Sequence, residues 1–202
     1  MNPQSISQLS LAIACILQLA ASLVAQERTL VYSVSRKNNI VGSVTVTQQI
    51  TGNQTVIRLE SDINARLIFT LKARTIEESV FRENVMIRSS LYRELNGKEK
   101  VKSLTLLQGD QYLIKKPTRT EYFTNSLIRY NMLSLYFYEP LHVGQVYSDN
   151  FQQHLDIQKI ADRHYRVHFP DGSHNEYYYE DGICTGIRVY HTFYSAHIDL
   201  KK

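Results

Sequence analysis

From Leu30 to about Leu106, and again from His154 to Leu200, apolar and polar residues alternate almost without a break. A period of two sends successive side chains to opposite faces of a strand, so both runs encode half-buried sheet. In the first run Leu30, Tyr32 and Val34 share a face opposite Ser33 and Ser35. Ile57, Leu59 and Ile63 oppose Arg58, Glu60 and Asp62, and Leu67, Phe69, Leu71 and Ala73 oppose Thr70, Lys72 and Arg74. In the second run Tyr165, Val167 and Phe169 oppose His164, Arg166 and His168, and a long last strand runs from Ile183 to near Leu200. Turn signals punctuate both: Asn38-Asn39, Thr51-Gly52-Asn53, Asn96-Gly97, Gly109-Asp110, Asp171-Gly172 and Asp181-Gly182. Asn96-Gly97 is the strongest hairpin signal, because both residues accept positive φ. Gly42 and Gly186 fall inside strands and predict bulges, where a sheet bends sharply.

No long helical crossovers separate the strands, so they pair antiparallel. One face is polar throughout. The predicted fold is mainly β: a strongly curved antiparallel sheet, barrel or half-barrel, of about ten to twelve strands closed around its apolar face. An interior of that width needs a helix or a ligand to fill it.

One stretch breaks the alternation, from Thr124 to Pro140. Leu127, Ile128, Met132, Leu135 and Tyr136 fall at helical spacing, Thr124 or Asn125 can cap, and Glu139-Pro140 is a stop. The prediction is one amphipathic helix near 125–138, inserted into the sheet as a plug or as the wall of a pocket.

The first 25 residues carry no Lys, Arg, Asp or Glu, and Leu9 to Val24 is apolar apart from Ser10, Gln18 and Ser22. This reads as a signal peptide over 1–25, leaving a single β-rich domain over 26–202. A membrane anchor wants roughly 20 apolar residues, and Cys15 sits too early in the run for a lipoprotein signal. Beyond the signal Cys184 is the only cysteine. An exported chain without a cysteine pair leans towards the periplasm of a Gram-negative bacterium. On that reading Asn53-Gln54-Thr55 is a polar turn rather than a glycosylation site. An outer-membrane barrel also alternates, but the short strands and the C-terminal Leu200-Lys201-Lys202 argue against one.

The net charge is +4, and its basic residues are scattered over turns and ends. That excludes a nucleic-acid module with a basic stripe and stacking aromatics and leaves at most peripheral attraction to a membrane surface. His164 and His168 lie on one strand face, about 13 Å apart at about 3.3 Å per residue, too far to share a metal ion. No metal or cofactor motif, no Gly-x-Ser-x-Gly and no phosphate-cradling glycine loop occurs. Glu139, His142 and Asp149, with Ser148, are the one group that resembles acid–base machinery; capping and loop hydrogen bonding is the plainer reading. Tyrosine is unusually frequent, 14 residues with no Trp. Tyr177 and Tyr179 join Tyr136 and Tyr138 as candidates for gripping a ligand, although Tyr is also favoured in sheets. Cys184 reads as a small buried residue.

Leu135-Tyr-Phe-Tyr-Glu-Pro140, Tyr147-Ser-Asp149, Pro170-Asp-Gly172, Asn175-Glu-Tyr-Tyr-Tyr179 and Asp181-Gly-Ile183 together resemble an uncharacterised family of small exported proteins from Bacteroidota. More loosely, Tyr32, Gly42 and the late Asp-Gly hairpins resemble curved-sheet periplasmic lipoprotein-carrier proteins. The resemblance implies an envelope location and supplies no activity.

The expectation is a non-catalytic exported protein that binds an apolar or amphipathic ligand, or an envelope partner, in or at the mouth of a β-barrel. Its partners would be a lipid, a glycan or an envelope protein; nothing in the sequence sets an oligomeric state. The candidate site comprises Leu127, Ile128, Met132, Leu135, Tyr136, Tyr138, Glu139, His142, Asp149, Tyr177 and Tyr179. Two alternatives stand beside it: a hydrolase-type enzyme using Glu139, His142 and Asp149, and a structural subunit that pairs through a strand edge.

Overall fold

The computed structural model describes residues 25–66, 70–124 and 126–201. The expected signal peptide, the cap at Asn125 and the strand positions Leu67 and Phe69 lie outside the described residues. The strands are β1 (Gln26–Arg36), β2 (Asn39–Thr51), β3 (Gln54–Arg66), β4 (Thr70–Arg82), β5 (Val85–Leu95), β6 (Lys98–Gln108), β7 (Gln111–Lys115) and β8 (Thr120–Phe123). They continue as β9 (Gln145–Ser148), β10 (Gln153–Ala161), β11 (His164–His168), β12 (His174–Glu180), β13 (Ile183–His191) and β14 (Tyr194–Leu200).

All fourteen form one sheet in the order β8-β7-β6-β5-β4-β3-β2-β1-β14-β13-β12-β11-β10-β9. Two meanders, β1–β8 and β9–β14, are thus joined where the first strand pairs with the last, Tyr32 opposite Leu200 and Ser35 opposite His197. Every pairing between these strands is antiparallel, as the short connections between consecutive strands require. The sheet has more strands than the ten to twelve expected. The run from Ile183 to Leu200 is two strands, turned at Thr192-Phe193 without a Gly or Asn to announce it, and β8 and β9 have only four residues each.

The turns follow the residue chemistry. Positive φ occurs at Asn96 and Gly97, at Asp181 and Gly182, and at Glu83 and Asn84, the signature of two-residue hairpins that match strand twist. The first turn is Lys37-Asn38 rather than Asn38-Asn39, since Arg36 pairs with Asn39. Both predicted bulges are present. Register slips next to Gly42, between Val34 and Ser35, and next to Gly186, between Tyr178 and Tyr179. At Gly42 a Cβ would sit 2.1 Å from the Asp62 carbonyl oxygen of the neighbouring strand. Only a residue without a side chain lets the two backbones approach so closely.

The edges of the sheet, β8 and β9, meet through rings: Phe123 lies 5.4 Å from Tyr147 and 5.5 Å from His154. Tilted aromatic packing of β8 against β9 and the neighbouring β10 thus draws the curved sheet towards closure.

The stretch 126–144 crosses the inside of this curve, and it is not the predicted helix. Its helical content is one 3-10 turn, Ser134–Tyr136. Two competitors win. Edge strand β9 takes the backbone: Met132 N–H donates to the Tyr147 carbonyl and Tyr147 N–H to the Tyr130 carbonyl, each 3.0 Å. The polar side chains bond locally as well: the Asn131 side-chain oxygen accepts from Ser134 N–H at 3.2 Å and from its hydroxyl at 3.1 Å, which favours a turn over a helix. The segment still plugs the lumen. Ile128, Leu133 and Phe137 join a core with Tyr32, Val46, Ile57 and Met86, while Leu135 enters a second with Val146, Tyr165, Val167 and Ile187. Among the described residues no helix is long and apolar enough to cross a membrane.

Tyrosine hydroxyls tie the plug to the wall. Tyr112 donates to the Met86 carbonyl (2.8 Å) and accepts from Ile128 N–H (3.0 Å). Tyr179 donates to the Leu135 carbonyl (2.9 Å) and Tyr165 to the Glu139 carboxylate (2.8 Å), while Tyr130 donates to the Tyr138 carbonyl within the plug itself. Buried irregular backbone needs such partners.

Two substitutions test these contacts. Gly42→Ala should destabilise the fold by about 1–3 kcal/mol, the usual cost of forcing atoms into a packed site. Tyr112→Phe strands the Met86 carbonyl and the Ile128 N–H together, and should cost about 1–3 kcal/mol. Urea unfolding midpoints of each variant against the parent read both effects, and an unchanged midpoint contradicts the corresponding contact.

Candidate functional site

The inward face of β3 to β6 is apolar at the β3 side and polar across its centre. Register places Ile57, Ser79, Ser89 and Thr105 in one row, with Leu59, Glu77, Leu91 and Ser103 in the next and Ser61, Thr75 and Arg93 in a third. Ser79, Ser89, Ser103 and Thr105 are all buried. Asn131 and Ser134 of the plug lie over this patch, with the Asn131 amide donating to the Ser79 hydroxyl at 2.7 Å. Hydrogen bonding within the patch makes its burial tolerable.

Asp149 enters from the opposite arm of the sheet, one residue past β9. It is 2% exposed. Its Oδ1 accepts a short hydrogen bond from the Ser89 hydroxyl. Its Oδ2 has no hydrogen-bond partner; Thr105 and Asn131 stand near enough to favour the anion. Glu77 is half-buried and borders the same cavity. Burial, together with the Asp149 charge, pushes the Glu77 carboxyl well above the usual carboxylate range, and Arg93 opposes the shift. Burial likewise raises Asp149, against the pull of Ser89, Asn131 and Thr105. Two acids that share a dry site hold protons more tightly than they would in water. Arg93 is engaged at the rim, with Nη1 donating to the Asn150 side-chain oxygen at 3.2 Å and Nε to the Thr75 hydroxyl at 3.4 Å.

The cavity itself measures about 320 Å³ and its wall is mixed. Its polar lining includes Ser61, Thr75, Glu77, Arg93, Asp149, Asn150, Asn175 and His191. Its apolar lining includes Leu59, Ile63, Met132, Phe151, Phe169 and Ile198. A concave, mostly apolar space with a few convergent polar groups is the form of a small-molecule site.

Of the predicted site residues, Met132, Tyr136, Asp149 and Tyr177 line this cavity. Ile128 and Leu135 are fully buried in the plug, and Tyr179 ties it down. Leu127 is exposed, and Tyr138 lies on the surface and accepts a hydrogen bond from the Gln48 amide at 2.7 Å. Glu139 binds the Tyr165 hydroxyl, and His142 is exposed beyond Pro140. The cavity that holds Asp149 contains neither Glu139 nor His142, so the group suggested for acid–base chemistry is not assembled. His164 lies on the outer face, 3.1 Å from Glu176. Among the described residues no three His, Cys, Asp or Glu side chains gather to hold a metal. Cys184 is buried, which pushes its thiol up to about 12; a thiol so placed is a poor nucleophile.

Alternation missed Glu77, Arg93 and the hydroxyl row, although it carried a signal for them. Extending the period through Thr75, Glu77, Ser79 and Phe81 puts a carboxylate on the apolar face.

The raised acids make stability depend on pH. The native state binds the Glu77 proton more tightly than the unfolded chain does, so its contribution is intact below the unfolded value near 4.5 and is lost as pH rises through the native value of about 8. Thermal midpoints of the parent should therefore fall between about pH 6 and 8. Glu77→Gln, which keeps the shape without the charge, should abolish most of that fall and melt higher than the parent at pH 8. A parent midpoint flat across this range contradicts the buried acid pair.

Searched by sequence, curated proteins give no match. Among solved structures, the chain is similar to the crystal structure of a beta-barrel-like protein of domain of unknown function DUF1849 from Brucella abortus, with a TM-score of 0.56. The match covers 87% of this chain and 95% of that one at 8% identity, and so shows a shared barrel-like fold. A family profile, domain of unknown function DUF6134, matches residues 32–201, from the buried Tyr32 of β1 to the last described residue. The chain belongs to the DUF6134 family.

Proposed function

We propose that the protein is an exported, periplasmic binding protein that takes an amphipathic small molecule into the lumen of its barrel. The observation that carries this reading is the cavity of about 320 Å³, lined by both apolar and polar side chains, with a buried Asp149 carboxylate oxygen left unpartnered in its wall. An unsatisfied buried acceptor costs about 1–3 kcal/mol. Proteins keep such a cost where it serves a ligand. The volume equals about ten waters at about 30 Å³ each, which suits one short chain or ring and is too small for a whole two-chain lipid. The apolar stretch at 9–24 and the single cysteine beyond it support an envelope location. Membrane contact on this reading is peripheral.

Binding is favoured over catalysis because Glu139, His142 and Asp149 occupy different surroundings. It is favoured over strand-edge assembly because β8 offers four residues, and the edge of β9 is engaged by Tyr130–Met132. Short or covered edges make poor templates for another chain.

Native mass spectrometry of the full chain expressed in a Gram-negative host and recovered from its periplasm tests the proposal. The expected spectrum shows a polypeptide shortened by about 25 residues, as signal removal requires, carrying a small amphiphile that dissociates on activation. Ile63→Trp, which fills space at the apolar lining, should lose that adduct while keeping its fold by circular dichroism. An unprocessed chain overturns the location, and an adduct-free parent overturns the binding.

A further inference from the structure

The acidic part of the lumen is short of positive charge. Asp149 Oδ2 is buried with no partner, an ionised carboxylate only accepts, and the nearby Tyr147 hydroxyl, also unpartnered, is a neutral donor whose proton burial and the Asp149 charge hold in place. Glu77 adds a second carboxylate to the same cavity. Arg93, the cation that borders it, is directed to Thr75 and Asn150. The other titratable groups around the cavity are Tyr136, Tyr177, Tyr194 and His191. Burial raises Tyr136 and Tyr177, keeping both phenols neutral. With both acids ionised, Glu77, Asp149 and Arg93 sum to one negative charge. An incoming monocation neutralises the site, whereas an anion adds to the repulsion.

Building on the lumen as a ligand site, we propose that its occupant is a primary amine with an apolar tail. The ammonium bridges the Glu77 and Asp149 carboxylates, and the tail runs along Leu59, Ile63, Met132, Phe169 and Ile198. A divalent metal is a poorer fit, since two carboxylates beside a guanidinium offer too few hard ligands and too much positive charge. An ammonium supplies three donors on one atom and satisfies both acids at once. It also replaces the proton the empty pair retains, so binding near neutral pH releases protons.

Isothermal titration of the folded protein with n-octylamine, n-octanol and octanoate at pH 7 separates the outcomes, because the three probes share a tail and differ at the head. The amine should bind at least tenfold more tightly than the alcohol, and octanoate more weakly still. Its apparent heat should change with the ionisation enthalpy of the buffer, reporting proton release. Glu77→Gln and Asp149→Asn should each weaken the amine at least tenfold while leaving the alcohol within about twofold; the alcohol serves as the control that either variant is folded. Equal binding of all three probes, or a preference for octanoate, overturns the head-group assignment and leaves the lumen a general amphiphile site. Binding of none overturns both.

Discussion

A chain that crosses the inside of a barrel must have its backbone N–H and C=O groups met by the wall. Here the wall meets them with tyrosine hydroxyls and with its own backbone. Tyr112 accepts from Ile128 N–H and Tyr179 donates to the Leu135 carbonyl, Tyr165 holds the Glu139 side chain, and backbone groups of Met86, Tyr147 and Gly182 supply further partners. Tyr suits the role because its ring packs in the apolar layer while the oxygen reaches a carbonyl. Once held, the segment divides the lumen. Ile128, Leu133 and Phe137 fill one side, Leu135 the other, and Met132 and Tyr136 face the space left between plug and wall. The cavity is thus a consequence of where an irregular segment is anchored, and the anchor points are strand positions.

That cavity contains the least economical part of the structure. An apolar filling would be more stable than a pair of acids, one of them with an unpartnered oxygen, since desolvating charge outweighs most of what pairing returns. The neighbouring Ser89 and Thr105 hydroxyls and the Asn131 amide soften the cost without cancelling it. Local inconsistency of this kind, inside a fold whose turns, bulges and alternation otherwise agree, is where function is to be sought. The outer face makes a contrast. There Glu176 is met by Arg166 at 2.5 Å, His164 at 3.1 Å and Tyr178 at 3.0 Å, and Arg188 meets Asp199 at 2.6 Å. Those acids are satisfied and ask for no ligand.

Much of the fold is legible in the sequence because it follows local rules. Period-two alternation places Tyr32, Leu59, Val167 and Ile187 on the inner face, and Asn96-Gly97 and Asp181-Gly182 turn where their φ preferences dictate. The glycines at 42 and 186 stand beside the bulges. The failures come where tertiary partners decide. Leu127 to Tyr136 has helical spacing, but the free edge of β9 and the side chains of Asn131 and Ser134 offered the backbone better partners. Leu133 and Phe137, off the expected helical face, became core. Asp149 belonged to the candidate site for the wrong reason: its neighbours in space are Ser89 and Glu77, some 60 and 72 positions away, rather than His142. A one-dimensional reading has no means of pairing a loop on one arm of the sheet with the centre of the other.

Whether the lumen is a compartment built for a donor-bearing amphiphile, as proposed, can be read from a crystal structure of the protein purified without detergent from its natural source. Elongated density is expected between Met132 and Ile198, ending in a group within about 3 Å of Asp149 Oδ2, the length of a charge-assisted hydrogen bond. A lumen closed by its own side chains, with Asp149 satisfied from within the protein, would overturn the proposed site.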